Sequence, residues 1–296
     1  MSKSQKAEID AILRQPRPQP RNVEEMRAGY ATAQTRMPVP DGIRTSETAL
    51  GDRRALIVEP IGPAHPGTIL YFHGGAWSLG SPETALALTA ALVTRTGMRA
   101  LSVDYRLAPE HPYPAAIDDG TNAYQALLES GADPAGIALA GDSAGGSLAV
   151  TTTLRARESG LAAPAAVVAF SGSFDLTLSG DSMDAKAGID PIFTREMLGP
   201  IGGMYRAGHD ARDPLLSPAV SADLTGFPAL LLQAGTNEVL LDDSVRLATR
   251  AIAAGVDAVL DITSDVPHVF QSFAGILDEA DQALDRAALF LAQRLR

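Results

Sequence analysis

The stretch Gly136-Ile137-Ala138-Leu139-Ala140-Gly141-Asp142-Ser143-Ala144-Gly145-Gly146 decides how the chain is read. Residues 136–140 are an apolar run of the kind that forms a buried strand. Residues 147–155, Ser-Leu-Ala-Val-Thr-Thr-Thr-Leu-Arg, read as a helix held down by Leu148 and its neighbours. A Gly-x-Ser-x-Gly between strand and helix is the pattern of a nucleophile elbow. Such a turn strains the serine backbone and points the hydroxyl out of the sheet. Only small residues fit two positions to either side, which accounts for Gly141 and Gly145. The helix that starts at once aims its first amides, that of Ala144 foremost, at an oxyanion forming beside Ser143. The plain alternative is a glycine-rich turn that happens to hold a serine, so the rest of the chain has to decide.

A serine hydroxyl is a poor nucleophile and needs an adjacent base. On an elbow of this kind the partners follow in chain order: serine, acid, histidine. Of the five histidines only His209 and His268 come after Ser143. His209 lies in an irregular stretch and reads as a surface residue. His268 follows the last strand, in Asp265-Val266-Pro267-His268-Val269-Phe270, where a sheet-edge loop can return it over Ser143. A lone histidine is more often structural, but this order and position favour a catalytic base. His73-Gly74-Gly75 ends the strand Thr68–Phe72, so its backbone lies at the same sheet edge as Ser143. Glycines let amides approach a ligand unhindered. The N–H groups of Gly74, Gly75 and Ala144 are therefore the expected oxyanion donors. A simple glycine turn would not explain why this segment and the elbow occur in one chain. His73 precedes the serine and is expected to brace its loop.

The remaining chain alternates. Residues 43–49 and 53–59 read as a strand pair, and residues 68–72, 99–104, 165–170, 229–234 and 258–263 as further strands. Helices are expected from a Ser81-Pro82-Glu83 start to about Thr96, from after Pro114 to about Ser130, over about 243–254, and at the C-terminus to about Arg294. This order predicts an α/β fold, a mostly parallel sheet with helices on both faces. The pattern breaks at about Ser171–Phe227, which is rich in Gly, Pro and Asp and helical at best over Thr194–Tyr205. An excursion of that length reads as an insertion rather than a loop. At the other end, residues 4–15 place Ile9, Ile12 and Leu13 on one helical face, and Asn22 caps a second helix reaching about Arg36. Pro16, Pro18 and Pro20 form a stiff connector between them. These two helices stand outside the alternation and read as part of a lid. The expected organisation is N-terminal cap helices in residues 1–40 and one catalytic domain in 41–296, with a second cap piece at about 175–225.

Composition excludes several classes. A chain of 296 residues can bury a large core. It has no cysteine, which removes disulfides, thiolate metal sites and a cysteine nucleophile, and fits a reducing compartment. The net charge of −11 is dispersed without a basic cluster, so neither nucleic acid nor an anionic membrane is an expected partner. Residues 1–6 lack the apolar core of a signal peptide, and no run approaches the ~18 apolar residues of a membrane span. No membrane insertion and a cytoplasmic location are the expectations. There is no Gly-x-x-x-x-Gly-Lys-Ser/Thr or Gly-x-Gly-x-x-Gly for a nucleotide, and no His-x-x-x-His for zinc.

Four segments together carry a resemblance: His73–Trp77 (His-Gly-Gly-Ala-Trp), residues 104–116 (Asp-Tyr-Arg-Leu-Ala-Pro-Glu-His-Pro-Tyr-Pro-Ala-Ala), Gly141–Gly146, and Val266–Phe270 (Val-Pro-His-Val-Phe). The chain resembles the bacterial hormone-sensitive-lipase-like branch of the α/β-hydrolase carboxylesterases over nearly all its length after residue 40. The resemblance implies an α/β-hydrolase fold with a helical cap. It further implies hydrolysis of small, short-chain acyl esters through an acyl-enzyme on Ser143 with His268 as base, and no metal or organic cofactor. Pairing through the last strand, Ala258–Thr263, as a homodimer is a further implication, while residues 105–114 carry no catalytic role. Two positions depart from the family pattern. Ala76 stands where many relatives have a third glycine, but it keeps the amide. Relatives also carry an acid in a pattern like Asp-Pro-Leu-x-Asp, whereas residues 235–243 here read Gly-Thr-Asn-Glu-Val-Leu-Leu-Asp-Asp. Aligning Leu240 and Asp242 with that pattern puts Glu238 on the acid position; a one-residue slip puts Asn237 there, and Asp242 is the reserve. The same machinery would also serve an amidase, a lactonase or an aryl-ester hydrolase. Non-catalytic receptors on this scaffold typically lose the histidine that this chain keeps.

Overall fold

The computed structural model describes residues 2–16 and 20–295, so Pro18 of the expected connector lies outside the described residues. The strands are β1 (Ile43–Leu50), β2 (Arg53–Pro60), β3 (Thr68–Phe72), β4 (Arg99–Val103), β5 (Ile137–Asp142), β6 (Ala166–Phe170), β7 (Ala229–Gly235) and β8 (Ala258–Thr263). They form one sheet in the order β1-β2-β4-β3-β5-β6-β7-β8. β1 and β2 run antiparallel, as do β2 and β4; every later pairing is parallel. The helices are α1 (Ser2–Leu13), α2 (Val23–Gln34), α3 (Leu86–Thr96), α4 (Ala115–Glu129), α5 (Ala144–Glu158), α6 (Ser182–Ala185), α7 (Arg195–Arg206), α8 (Pro218–Ser221), α9 (Leu241–Ala253) and α10 (Asp278–Arg294).

The strand pleat divides the core into two layers. Along β3, Leu70 and Phe72 face one side, where they pack with α4, α5 and α9 through Ile117, Leu148 and Leu247. Ile69 and Tyr71 face the other, against Leu88 and Leu92 of α3 and Leu284 and Leu291 of α10. The central strands β3, β5 and β6 are buried along their whole length, as strands covered on both faces must be. The edges differ: β1 and β8 are largely open, with Val259 and Ile262 of β8 each 41% exposed.

Element boundaries shift in two places. The segment Ser81-Pro82-Glu83 does not start α3. Thr84 Oγ1 donates to the Ser81 carbonyl at 2.8 Å and accepts its N–H at 3.0 Å, which closes a separate turn, and the helix begins at Leu86. α9 begins at Leu241, two residues earlier than the sequence suggests. The irregular stretch after β6 contains α7 flanked by the single turns α6 and α8. α1 buries Ile9 against Val266, Phe270 and Phe273, while α2 opens on Asn22, whose side chain accepts the Glu25 N–H at 2.9 Å.

The turn from β5 into α5 is the tightest point. Ser143 has φ 53° and ψ −121°, outside the regions L-residues favour. α5 crosses so close to the end of β3 that a Cβ on Gly145 would lie 1.9 Å from the Phe72 carbonyl oxygen, and one on Gly141 would lie 2.4 Å from the Gly145 carbonyl. Backbone on both sides leaves nothing flexible to move aside. Gly145→Ala is therefore expected to destabilise the fold by at least the ~1–3 kcal/mol typical of overpacking. Gly199→Ala, in α7 where an added Cβ meets nothing within 4 Å, should be neutral or stabilising by up to ~1 kcal/mol. Thermal melts of the two variants check the contrast; equal effects would contradict the packing described.

Candidate active site

The parallel register sets Phe72 beside Gly141, so the chain leaves β3 and β5 at one sheet edge, which is where the carboxyl ends of β7 and β8 also lie. Open α/β sheets bind ligands outside this edge. Ser143 rises from the β5 turn, Glu238 follows β7 and His268 follows β8. The structure brings the three side chains together. Ser143 Oγ lies 3.0 Å from His268 Nε2, and His268 Nδ1 lies 2.8 Å from Glu238 Oε2. A carboxylate only accepts, so Nδ1 carries the proton and Nε2 is left free to accept from the serine hydroxyl. Glu238 is fully buried and His268 nearly so. Burial works to lower the His268 pKa, but the hydrogen bond and charge of Glu238, with Asp190 and Asp142 behind them, outweigh it and raise the pKa above its ordinary value.

The neighbouring acids point elsewhere. Asp242 accepts the Ser182 N–H at 2.8 Å, and so ties the start of α9 to α6. Asp243 is buried and accepts the amides of Phe174 and Asp175 at 2.7 and 2.9 Å. The Asn237 amide donates to the Val266 carbonyl, and its side-chain oxygen accepts from Thr236. None of the three meets His268 in a hydrogen bond. His209 is exposed and stands edge-on to Tyr113 at 5.0 Å.

The loop after β3 needs one correction. The Gly74 amide, expected to be an oxyanion donor, instead donates to Asp142 Oδ1 at 3.1 Å. A Cβ on Gly74 would lie 2.2 Å from Asp142 Oδ2, so the glycine is there to let that carboxylate in. The amides of Gly75, Ala76 and Ala144 donate to no acceptor among the described residues. Ala76 and Ala144 line one cleft with Ser143. Of these three, sequence reasoning named Gly75 and Ala144 as donors and noted of Ala76 only that it keeps its amide. His73 is buried and stacks on Tyr105 at 4.2 Å, and Tyr105 Oη donates to the His73 carbonyl at 2.7 Å. Burial pushes the His73 pKa down to about 4, so the ring is neutral and serves as packing beneath the loop.

The cleft beside Ser143 is narrow, about 20 Å³, and its walls are apolar: Trp77, Leu176, Phe193, Leu198 and Ile201. Phe193 stands edge-on to His268 at 5.0 Å, and Trp77 stacks on Tyr205 of α7 at 4.6 Å. A wider surface hollow of about 300 Å³, between the end of α8 and α9, holds none of these residues. Among the described residues no group of three or more His, Asp or Glu side chains is placed to hold a metal, and no helix is long and apolar enough to cross a membrane.

Asp142, the residue before Ser143, is buried. Burial raises its pKa to about 6, against the opposing hydrogen bonds from Tyr71 Oη and the Gly74 amide. An unfolded aspartate titrates near ~4, so between about pH 4 and 6 the folded chain holds more protons than the unfolded one. Stability from this group therefore falls as pH rises through that window. Asp142→Asn keeps an acceptor for both donors and removes the charge. Its Tm relative to the native chain should be most favourable at about pH 8 and lose that advantage toward about pH 4. A difference that is constant with pH would contradict a buried, titrating carboxylate here.

Comparison with known proteins finds relatives over most of the chain. A family model described as the α/β-hydrolase fold matches residues 69–272. The chain is 40% identical to an acetyl-hydrolase of Streptomyces hygroscopicus over 76% of this chain and 75% of that one. It is 39% identical to an esterase of Acinetobacter venetianus over 75% and 73% of the two chains. A crystal structure of an esterase from the bacterial hormone-sensitive lipase family superposes with a TM-score of 0.94 at 38% identity, covering 99% of each chain. The chain thus belongs to the α/β-hydrolase family, in its bacterial hormone-sensitive-lipase-like branch.

Proposed function

We propose that the chain hydrolyses short-chain carboxylic esters, with Ser143, His268 and Glu238 as its catalytic triad. The observation that supports this most directly is the unbroken relay from Ser143 Oγ through both ring nitrogens of His268 to the buried Glu238 carboxylate. Ser143 Oγ attacks the ester carbonyl carbon while His268 Nε2 takes its proton. The carbonyl π electrons move to the oxygen, which the amides of Gly75, Ala76 and Ala144 would receive. Collapse of this intermediate breaks the bond to the alkoxy oxygen; His268 returns the proton to it, and the alcohol leaves an acyl-Ser143. Water, deprotonated by the same nitrogen, then releases the acid and restores Ser143. Glu238 holds the tautomer and stabilises the imidazolium in both steps.

The cap belongs to the same proposal. α1 packs under the segment that carries His268, α2 reaches the oxyanion loop through Arg27 Nε to the Ser78 carbonyl at 2.9 Å, and the insertion supplies Phe193, Leu198 and Ile201 to the cleft wall. A cap so close to Ser143 suits a small acyl group. We also propose a homodimer that pairs through the open β8 edge, whose exposed Val259 and Ile262 are the kind of edge that needs cover. The proposed compartment is the cytoplasm, supported by a chain without cysteine.

Turnover of a series of p-nitrophenyl acyl esters tests the reading. Acetyl to about hexanoyl esters should outrun longer ones, since each methylene in such a pocket is worth ~1–3 kcal/mol of discrimination. Ser143→Ala should lower kcat by on the order of 10⁶ on every member. Near-native turnover in that variant, or rates still climbing at about twelve carbons, would contradict the proposal.

A second test separates the acids. Glu238→Gln keeps shape and loses charge, so kcat should fall by about 10³–10⁴. The acid limb of kcat/KM should move to lower pH, because the charge that raises the His268 pKa is gone. Asp242→Asn should leave both quantities near native. Full activity in Glu238→Gln with a dead Asp242→Asn would transfer the role to Asp242.

A further inference from the structure

Glu238 has two carboxylate oxygens, and His268 takes only Oε2. The other, Oε1, accepts from Ser171 Oγ at 2.9 Å and from the Gly235 amide. The same Ser171 hydroxyl is met by the N–H of Val269, the residue after His268, at 3.0 Å. A hydroxyl has one proton to give, and a carboxylate can only accept, so the proton goes to Glu238 and a lone pair to Val269. One buried oxygen thus joins the loop that carries the acid to the loop that carries the base, and it touches neither the cleft nor Ser143 Oγ.

The backbone around this oxygen is held in an unfavourable shape. Ser171 has φ 47° and Val269 φ 49°, both in the left-handed region, where a β-branched valine is a marked exception. Ser171 is fixed from below by its own N–H, which donates to the Gln233 carbonyl at 2.7 Å. Such conformations persist where the surroundings over-determine them. Glutamate also carries one more rotatable bond than aspartate, so its carboxylate needs a second fixed point if Oε2 is to stay on Nδ1. Ser171 supplies that point.

We propose that Ser171 is a positioning residue of the relay: its hydroxyl locks the Glu238 carboxylate and the His268 loop to each other and so acts on turnover through Glu238. The proposal rests on the triad reading above. It assigns to Ser171 no contact with substrate.

The experiment is a double-mutant cycle on an acyl ester, combining Ser171→Ala with Glu238→Gln, with Ser171→Gly alongside. Glycine adopts φ 47° without strain, so a loss shared by the alanine and glycine variants belongs to the hydroxyl and not to the backbone. Both should lower kcat by about 10–100-fold, the worth of one hydrogen bond to a charged group, and leave KM within about threefold of native. In the Glu238→Gln background, Ser171→Ala should change kcat by less than about threefold, because the charge it serves is already absent. Native kcat in both Ser171 variants while Glu238→Gln is impaired would overturn this proposal and leave the triad standing. Fully additive losses, or a loss confined to KM, would overturn it as well. Full activity in Glu238→Gln alone would remove the triad reading, and this proposal with it. Ser171→Cys, which keeps a weak donor, should recover part of the loss; failure of all three variants to fold would make the hydroxyl a folding group and overturn the positioning role.

Discussion

The Phe72 carbonyl oxygen sits where a side chain on Gly145 would begin, and the rest of the site follows from that contact. It fixes how closely α5 crosses the end of β3, and therefore how sharply the chain must turn at Ser143. The sharp turn holds Ser143 at φ 53°. The same closeness brings the His73–Trp77 loop alongside the start of α5, so Ala76 and Ala144, distant in sequence, line one cleft, and their amides meet no acceptor among the described residues. None of this depends on a flexible side chain. Backbone amides held in this way are in place before any ligand arrives, which is the condition that the proposed oxyanion role requires.

Two buried carboxylates flank this frame in different environments. Glu238 is saturated with donors: His268 on one oxygen, Ser171 and Gly235 on the other. Asp142 accepts from Tyr71 Oη and the Gly74 amide, and burial raises its pKa to about 6. The first holds the His268 ring; the second shapes the loop after β3. The aromatic layer works similarly at longer range, since Trp77 on Tyr205 and Phe193 on His268 press the insertion onto the loops beneath it.

The alternation of strands and helices, the elbow and the late histidine are legible in the chain because each is local: an apolar run, a turn composition, a position in order. The carboxylate that meets His268 was readable only through the resemblance to a family pattern, since Glu238, Asp242 and Asp243 are all acidic within six residues. What separates them is where β7 ends and α9 begins, and which partner each meets: Asp242 accepts from Ser182, sixty residues away. Gly74 misled for a related reason. A glycine after a strand suggests an approachable amide, but this one approaches Asp142, the residue before Ser143, across the parallel β3/β5 pairing. The segment that forms the cleft wall was legible as a helix over Thr194–Tyr205, but the wall residues themselves were not. Which side chains of α7 face the cleft depends on segments distant in sequence, among them Trp77 and Leu176, which line it with Leu198 and Ile201.

The central claim, that Ser143 is the group that bonds covalently to the acyl carbon, is tested most directly by trapping. The native chain is mixed with an activated acetyl ester, quenched in acid during the first turnover, digested and mapped by mass spectrometry. The account predicts one acetyl group per chain, on the peptide that contains Ser143, and no such adduct in Ser143→Ala. An acetyl group on another side chain during productive turnover, or turnover without any adduct even when deacylation is slowed, would contradict it.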